Sequence, residues 1–283
     1  MMMDDPFALI RRWQAFLEVS GRANAETRRQ YRRAFVAFLA DLCIDPREVT
    51  EDDAVRWLAE RSRLQGSLRP DTIRAARSFY HWAQARGEVH RDPFAALPVP
   101  RHKYGRAPYL KPAELEHVLR IARHHRDPRV APTMELLYAT GARVGTACAL
   151  VADDVDLDAG WIRFRVMKGG SQHGVPLNER GRIAVLELLG LADYTPIRGR
   201  RRPTLIGVGR SRVEQWIAEV QAEAGVRVWP HLLRHTILTE LAHDPAVPFI
   251  VTSRIAGHRD PRITAEAYVG DDESAMRAAL AGR

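Results

Sequence analysis

Residues 231–236 read His231-Leu232-Leu233-Arg234-His235-Thr236. They fall in a pattern that predicts a helix over about 231–242. Positions i and i+3 share a helix face, so His231 and Arg234 point the same way. An arginine fork held beside an imidazole suits the non-bridging oxygens of a phosphodiester. His231 and His235 also have the i, i+4 spacing of a zinc-binding helix. Such a helix needs glutamate directly after the first histidine, and Leu232 stands there. No third ligand is specified, so no metal is expected.

Three further segments carry groups that a phosphodiester reaction needs. Upstream, residues 139–146 read Ala-Thr-Gly-Ala-Arg143-Val-Gly-Thr146, a helix-to-helix turn at Thr140-Gly141 that fixes Arg143. Between them, residues 167–177 read Met-Lys168-Gly-Gly-Ser-Gln-His-Gly-Val-Pro-Leu. Trp161 to Val166 alternates apolar residues with arginine, as a half-exposed strand does. Gly169-Gly170 then turns into a second short strand near Val175–Leu177. Only three of the 43 basic side chains are lysines, at 103, 111 and 168. In an arginine-rich chain a retained lysine marks a place for a titratable amine, and this picks out Lys168. Downstream, Ala256-Gly257-His258 is followed by Tyr268, one of seven tyrosines. Tyr31 and Tyr80 lie on apolar helix faces and are expected to pack.

Taken in order, Arg143, Lys168, His231-x-x-Arg234, Gly257-His258 and Tyr268 resemble the catalytic signature of the tyrosine recombinases, the phage integrase family. The resemblance covers nearly the whole chain. It implies that Tyr268 attacks the scissile phosphate to give a 3′-phosphotyrosine and a free 5′-hydroxyl. It also implies that Arg143 and Arg234 clamp the phosphate, Lys168 protonates the leaving oxygen, His231 assists proton removal from Tyr268, and His258 bonds the phosphate. The covalent ester conserves bond energy, so no cofactor is expected. The sequence departs from the family at Thr146, where an acidic residue is common, and at Ala256, where leucine is commoner.

The rest of the sequence agrees with a DNA partner. The net charge is +8 and the isoelectric point about 10.0. Residues 1–103 carry 18 basic against 14 acidic side chains, and the remainder 25 against 21, so both halves are equally basic. No apolar run approaches the roughly 18 residues of a membrane span. The acidic N-terminus lacks a signal core, so a cytoplasmic location without membrane contact is expected. Cys43 and Cys148 read as small buried hydrophobes. Asp154, Asp156 and Asp158 begin like a calcium loop, but Ala159 and Arg165 replace its glycine and glutamate. They are expected to form a solvated turn. No phosphate-binding Gly-x-x-x-x-Gly-Lys-Ser/Thr loop occurs, which excludes an ATP-driven reaction.

The expected fold is mainly α, with a small antiparallel β-sheet in the C-terminal part. Residues 1–91 read as a four-helix bundle, with Asn24 capping its second helix, Thr50 and Asp53 boxing the third and Pro70 opening the fourth. The resemblance identifies this bundle as the core-binding domain of a two-domain DNA clamp. Residues 92–108, with four prolines and several basic side chains, read as a linker. Residues 109–283 are the expected catalytic domain. Arg198 to Arg202 sit in a loop, either solvated or on a phosphate. The resemblance implies a homotetramer on double-stranded DNA, with accessory proteins possible, and a short amphipathic helix over Asp271–Leu280 could dock on a neighbouring protomer as the family's C-terminal segment does. The bundle begins almost at residue 5, which leaves no room for an arm-binding domain and favours a simple or Xer-like integrase. Integration or excision of a mobile element is the leading role. Dimer resolution, a non-cutting DNA-binding regulator and a metal-dependent nuclease are the alternatives.

Overall fold

The computed structural model describes residues 6–65, 70–99, 108–165, 173–191, 203–257, 261–265 and 268. The chain divides into two compact units, Met1–Lys103 and Tyr104–Arg283.

The first unit is built from α1 (Pro6–Val19), α2 (Ala25–Leu42), α3 (Glu51–Gln65) and α4 (Pro70–Gln84). Its helix starts follow from local chemistry. The Asn24 carboxamide accepts the Thr27 N–H at 2.8 Å. Thr50 and Asp53 bond reciprocally, N–H to carboxylate at 3.0 Å and N–H to hydroxyl at 3.2 Å. Ile73, Ala76, Tyr80 and Ala83 line the buried stripe of α4. The core is aromatic: Trp13, Phe35, Phe38, Phe79, Tyr80 and Phe94 are essentially solvent-free. Trp13 meets Phe79 edge-on with ring centres 5.6 Å apart, a geometry worth about 0.5–1.5 kcal/mol beyond the area buried.

Two expectations for this unit are corrected. The expected linker began at residue 92, but residues 92–97 pack on the bundle. Phe94 is fully buried, and Arg77 donates to the carbonyls of Phe94 at 2.9 Å and Ala95 at 3.0 Å. The prolines advertised an extended chain; the clasp comes from an arginine 17 residues away in sequence. The rest of that linker, 100–107, lies outside the described residues. Cys43 is exposed, unlike the buried Cys148. It ends α2 in the left-handed region at φ 52°, the N–H bonded to the Leu39 carbonyl.

The second unit centres on α6 (Val130–Thr140), which buries nine of its 11 residues. Around it lie α5 (Pro112–Arg123), α8 (Glu179–Leu191), α9 (Arg210–Ala224) and α10 (Pro230–His243). The short α7 (Val144–Ala147) follows α6, and α11 (Phe249–Ala256) and α12 (Pro261–Thr264) follow α10. Buried Glu135 on α6 meets Arg123 and Arg180, each at 3.4 Å. Tyr138 donates its hydroxyl to Glu240 at 2.6 Å and so fastens α6 to α10.

The sheet is antiparallel, in the order β1 (Val155–Asp156), β2 (Trp161–Phe164), β3 (His173–Pro176). Ile162 and Phe164 face the core opposite Val175 and His173. Gly174 lies close under Trp161: a Cβ there would be 2.1 Å from Nε1 of that ring, which would have to shift. The first strand was not foreseen, being only two residues long. The expected solvated turn is also corrected at Asp154. That side chain is 3% exposed, accepts the Val151 N–H at 3.0 Å and is paired with Arg165. The loop of Arg198 to Arg202 and the helix expected over Asp271–Leu280 lie outside the described residues.

A cysteine in the left-handed region is strained, and glycine is not. Cys43→Gly should therefore stabilise the first unit by about 0.5–1 kcal/mol. The check is the urea midpoint of the bundle's unfolding, which should rise at unchanged slope.

Candidate active site

The site begins where α6 ends. The Thr140 hydroxyl donates to the Leu136 carbonyl at 2.6 Å and accepts the Ala142 N–H at 3.3 Å. Gly141 stops the helix at φ 60°, and a Cβ there would stand 3.4 Å from Ile237 on α10. This close approach lets the end of α6 lie against α10. Arg143 follows in extended conformation, its carbonyl accepting the N–H groups of Thr146 and Ala147 at 2.9 Å to start α7.

Helix α10 supplies His231, Arg234 and His235. Its entry is set by Pro230, which fits the first helical position. Thr236 accepts the Leu110 N–H at 3.0 Å, tying α10 to the segment that enters α5. Arg234 is 2% exposed. Its guanidinium donates through Nη1 to the Gly141 carbonyl and through Nη2 to the Ala256 carbonyl, the latter at 2.7 Å. Burial pulls its pKa down to about 10, and the charge of Arg143 acts in the same direction, while Tyr268 opposes both. Arg234 therefore remains a cation at neutral pH.

Tyr268 is 3% exposed and packs with Leu238 and Ala256. The Arg234 side chain is hydrogen-bonded to its phenol. Burial holds the phenol above its ordinary pKa of 10.0; Arg234 and Arg143 act against this without overcoming it. His235 lies between the two reactive-type side chains. Its ring centre is 4.3 Å from that of His231 and 5.3 Å from that of Tyr268. His231 is an exposed residue in the first turn of α10, with enough protein around its ring to desolvate it in part. That partial desolvation, then the charges of Arg234 and Arg143, disfavours its protonated form.

The structure thus brings four of the six sequence-predicted residues into one electrostatic unit: Arg143, His231, Arg234 and Tyr268. Lys168 and His258 lie outside the described residues. The strands on either side of Lys168 and the turn at Gly257 that precedes His258 are described. Sequence reasoning weighed His235 only as a zinc ligand, and it missed the carbonyls of Gly141 and Ala256, because a backbone acceptor leaves no mark in a residue string. It also missed His173. This half-buried ring stacks on Phe164 at 5.4 Å and lies in the field of Arg234 and Arg143. Among the described residues, no group of three or more His, Cys, Asp or Glu side chains is placed to hold a metal ion. No described helix is long and apolar enough to cross a membrane.

Residues 108–274 match the family model described as the phage integrase family. The chain belongs to that family, the tyrosine recombinases, enzymes of site-specific DNA recombination. Among its relatives is the tyrosine recombinase XerC of Mycobacterium tuberculosis, 29% identical over 275 residues, spanning 89% of this chain and 90% of the relative. The fold resembles that of the Tn1549 transposon integrase in complex with a circular intermediate DNA. The TM-score is 0.74 at 18% identity, covering 96% of this chain and 98% of that one. It also resembles a lambda integrase tetramer bound to a Holliday junction, with a TM-score of 0.71 at 16% identity, covering 90% of this chain and 77% of that one. The expected fold class is correct: a mostly helical recombinase with a small antiparallel sheet.

The depressed histidines have a consequence for stability. His231 and His173 both titrate below the ordinary 6.5 when folded. Below pH ~6.5 the unfolded chain takes up those protons first, so stability present above that pH is lost as pH falls through the folded pKa values. Unfolding midpoints in urea between about pH 5 and pH 8 should decline on the acid side. The decline should be shallower in the His173→Gln/His231→Gln double variant, and an unchanged slope there would refute the assignment.

Proposed function

We propose that this chain cleaves and rejoins DNA strands through a covalent 3′-phosphotyrosine at Tyr268. The observation that carries the reading is the pairing of the Tyr268 phenol with the buried Arg234 guanidinium beside Arg143. A phosphate entering there meets two cations and the nucleophile together. Arg143 and Arg234 bind its non-bridging oxygens and stabilise the charge that develops in the pentacoordinate transition state. The Tyr268 oxygen forms the new P–O bond as the bond to the 5′-oxygen breaks. The phenol must lose its proton on the way, and His231, held neutral, is the base that assists. Lys168 delivers a proton to the leaving 5′-oxygen as general acid, and His258 bonds the phosphate. Rejoining runs the same steps in reverse, so the ester itself stores the energy for resealing.

The partner is double-stranded DNA, engaged by a helical core-binding domain over residues 1–97 and a catalytic domain over 109–283, with the chain acting as a homotetramer on two sites. The lambda integrase tetramer on a Holliday junction supports this assembly by analogy of fold. For the biological role we infer integration or excision of a mobile element. Resolution of chromosome or plasmid dimers is the second reading, and the XerC relative favours it by matching nearly end to end.

The test uses a duplex selected by binding to the Tyr268→Phe variant from a randomised library, then nicked as a suicide substrate. Wild type should form a covalent adduct that resists EDTA. Tyr268→Phe should bind the duplex normally and form none. Arg143→Ala should lower the rate roughly 100- to 1,000-fold, as loss of a transition-state donor does. An adduct formed by Tyr268→Phe, or strong inhibition by EDTA, would sink the mechanism.

A further inference from the structure

His173 stands at the first position of β3, directly after the segment that contains Lys168. Its Nε2 lies 3.1 Å from the carbonyl oxygen of Ile255, a residue 82 positions away in the last turn of α11. A carbonyl only accepts, so the ring donates Nε2–H. Nδ1 is buried and meets no hydrogen-bond partner among the described residues, an environment that suits the neutral ring with Nδ1 unprotonated. Burial and the two arginines also weigh against the cation. The next carbonyl along, that of Ala256, accepts from Arg234 at 2.7 Å. Two consecutive orphan carbonyls at the end of α11 are therefore taken by two different segments: Ile255 by the sheet and Ala256 by α10.

We propose that His173 is a positioning residue for strand cleavage, a strut that fixes the root of the Lys168 segment relative to the Arg234 guanidinium through the Ile255 carbonyl. This rests on the proposed phosphotyrosine chemistry, with Lys168 as general acid. The strut is short. His173 Nε2 to Ile255, one residue to Ala256, and one hydrogen bond to Arg234 make the whole path. Among the described residues, His173 makes the side-chain hydrogen bond that links β3 to α11. Its ring is also packed from the other side by Phe164, its cross-strand partner, which leaves it little freedom to swing. Because the imidazole is neutral, it supplies a donor without adding a third positive charge beside Arg143 and Arg234. Losing the donor frees the Lys168 end of the hairpin and leaves the phosphate clamp intact. The step that suffers is proton delivery to the 5′-oxygen, and DNA binding does not.

That difference is measurable. Two versions of the selected suicide duplex are compared, one with the natural 5′-oxygen at the scissile bond and one with a bridging 5′-sulfur. A thiolate leaves without being protonated, so the sulfur substrate bypasses the general acid. His173→Phe keeps the stacking on Phe164 and loses the donor. At saturating DNA it should cleave the oxygen substrate roughly ten- to a hundredfold more slowly, since a misplacement of about 1 Å costs on that order. It should cleave the sulfur substrate nearly as fast as wild type and bind both equally well. His173→Gln, which retains an N–H, should recover most of the rate on oxygen. Lys168→Ala serves as the reference for a lost general acid and should show the same rescue by sulfur. If His173→Phe unfolds early, His173→Met takes its place. Full activity of the donor-free variant on oxygen overturns the proposal, as does an equal defect on both substrates or a defect confined to binding. Failure of the wild type to form any adduct on either substrate overturns instead the phosphotyrosine reading beneath it.

Discussion

A guanidinium with 2% of its surface exposed has to be satisfied almost completely by protein. At Arg234 the cost of desolvation is met by the carbonyls of Gly141 and Ala256 and by the Tyr268 phenol. These acceptors come from three separate segments: the end of α6, the end of α11 and the chain beyond α12. The requirement propagates outward. Gly141 stops α6 in the left-handed region at φ 60°, where a side chain is strained, and its carbonyl there accepts from Arg234. The helix ahead of it must be rigid, and α6 is buried along nearly its whole length. Tyr138 and Glu240 then hold α6 and α10 at a fixed separation. The catalytic unit is in this sense folded around one cation.

The same cation sets the chemistry of the site before any substrate arrives. Burial, and then repulsion by Arg143, make Arg234 easier to deprotonate than a free arginine. On the proposed mechanism, a phosphodiester placed between them relieves that repulsion, which favours its binding. The Tyr268 phenol responds in the opposite way. Burial keeps it protonated, so it is a poor nucleophile at rest, and the arginines narrow the gap without closing it. On the proposed mechanism, ionisation of the phenol must therefore be coupled to its attack on phosphorus.

Much of the fold was legible because it rests on local signals. Asn24, the Thr50–Asp53 pair and Pro70 announce helix starts by side chains adjacent to the backbone groups they satisfy. Two of the failures share a cause, a deciding partner outside the local segment, and the third comes from a helix end. Phe94 is drawn into the bundle by Arg77, Asp154 is buried against Arg165, and Cys43 is left exposed by a helix end. The site divides along the same line. His231, Arg234, Arg143 and Tyr268 stood out by residue type and order. His173 did not, since a histidine in a hairpin is ordinary until its carbonyl partner 82 residues away is known.

The histidines complete the electrostatic logic. Two guanidiniums supply all the permanent positive charge seen at the centre of the described site, and arginine does not release a proton at working pH. Any further group there must do its work uncharged or pay a repulsion against both. His231 and His173 are each pushed toward the neutral form by desolvation and then by the arginines. A neutral imidazole can take up a proton, as His231 must on the proposed mechanism, or donate a hydrogen bond without a charge, as His173 does to Ile255. A lysine or arginine at position 173 could make the same bond, but only by bringing a third cation against Arg143 and Arg234. The choice of imidazole at both places follows from the pair of arginines, and so ultimately from the need to bury one of them.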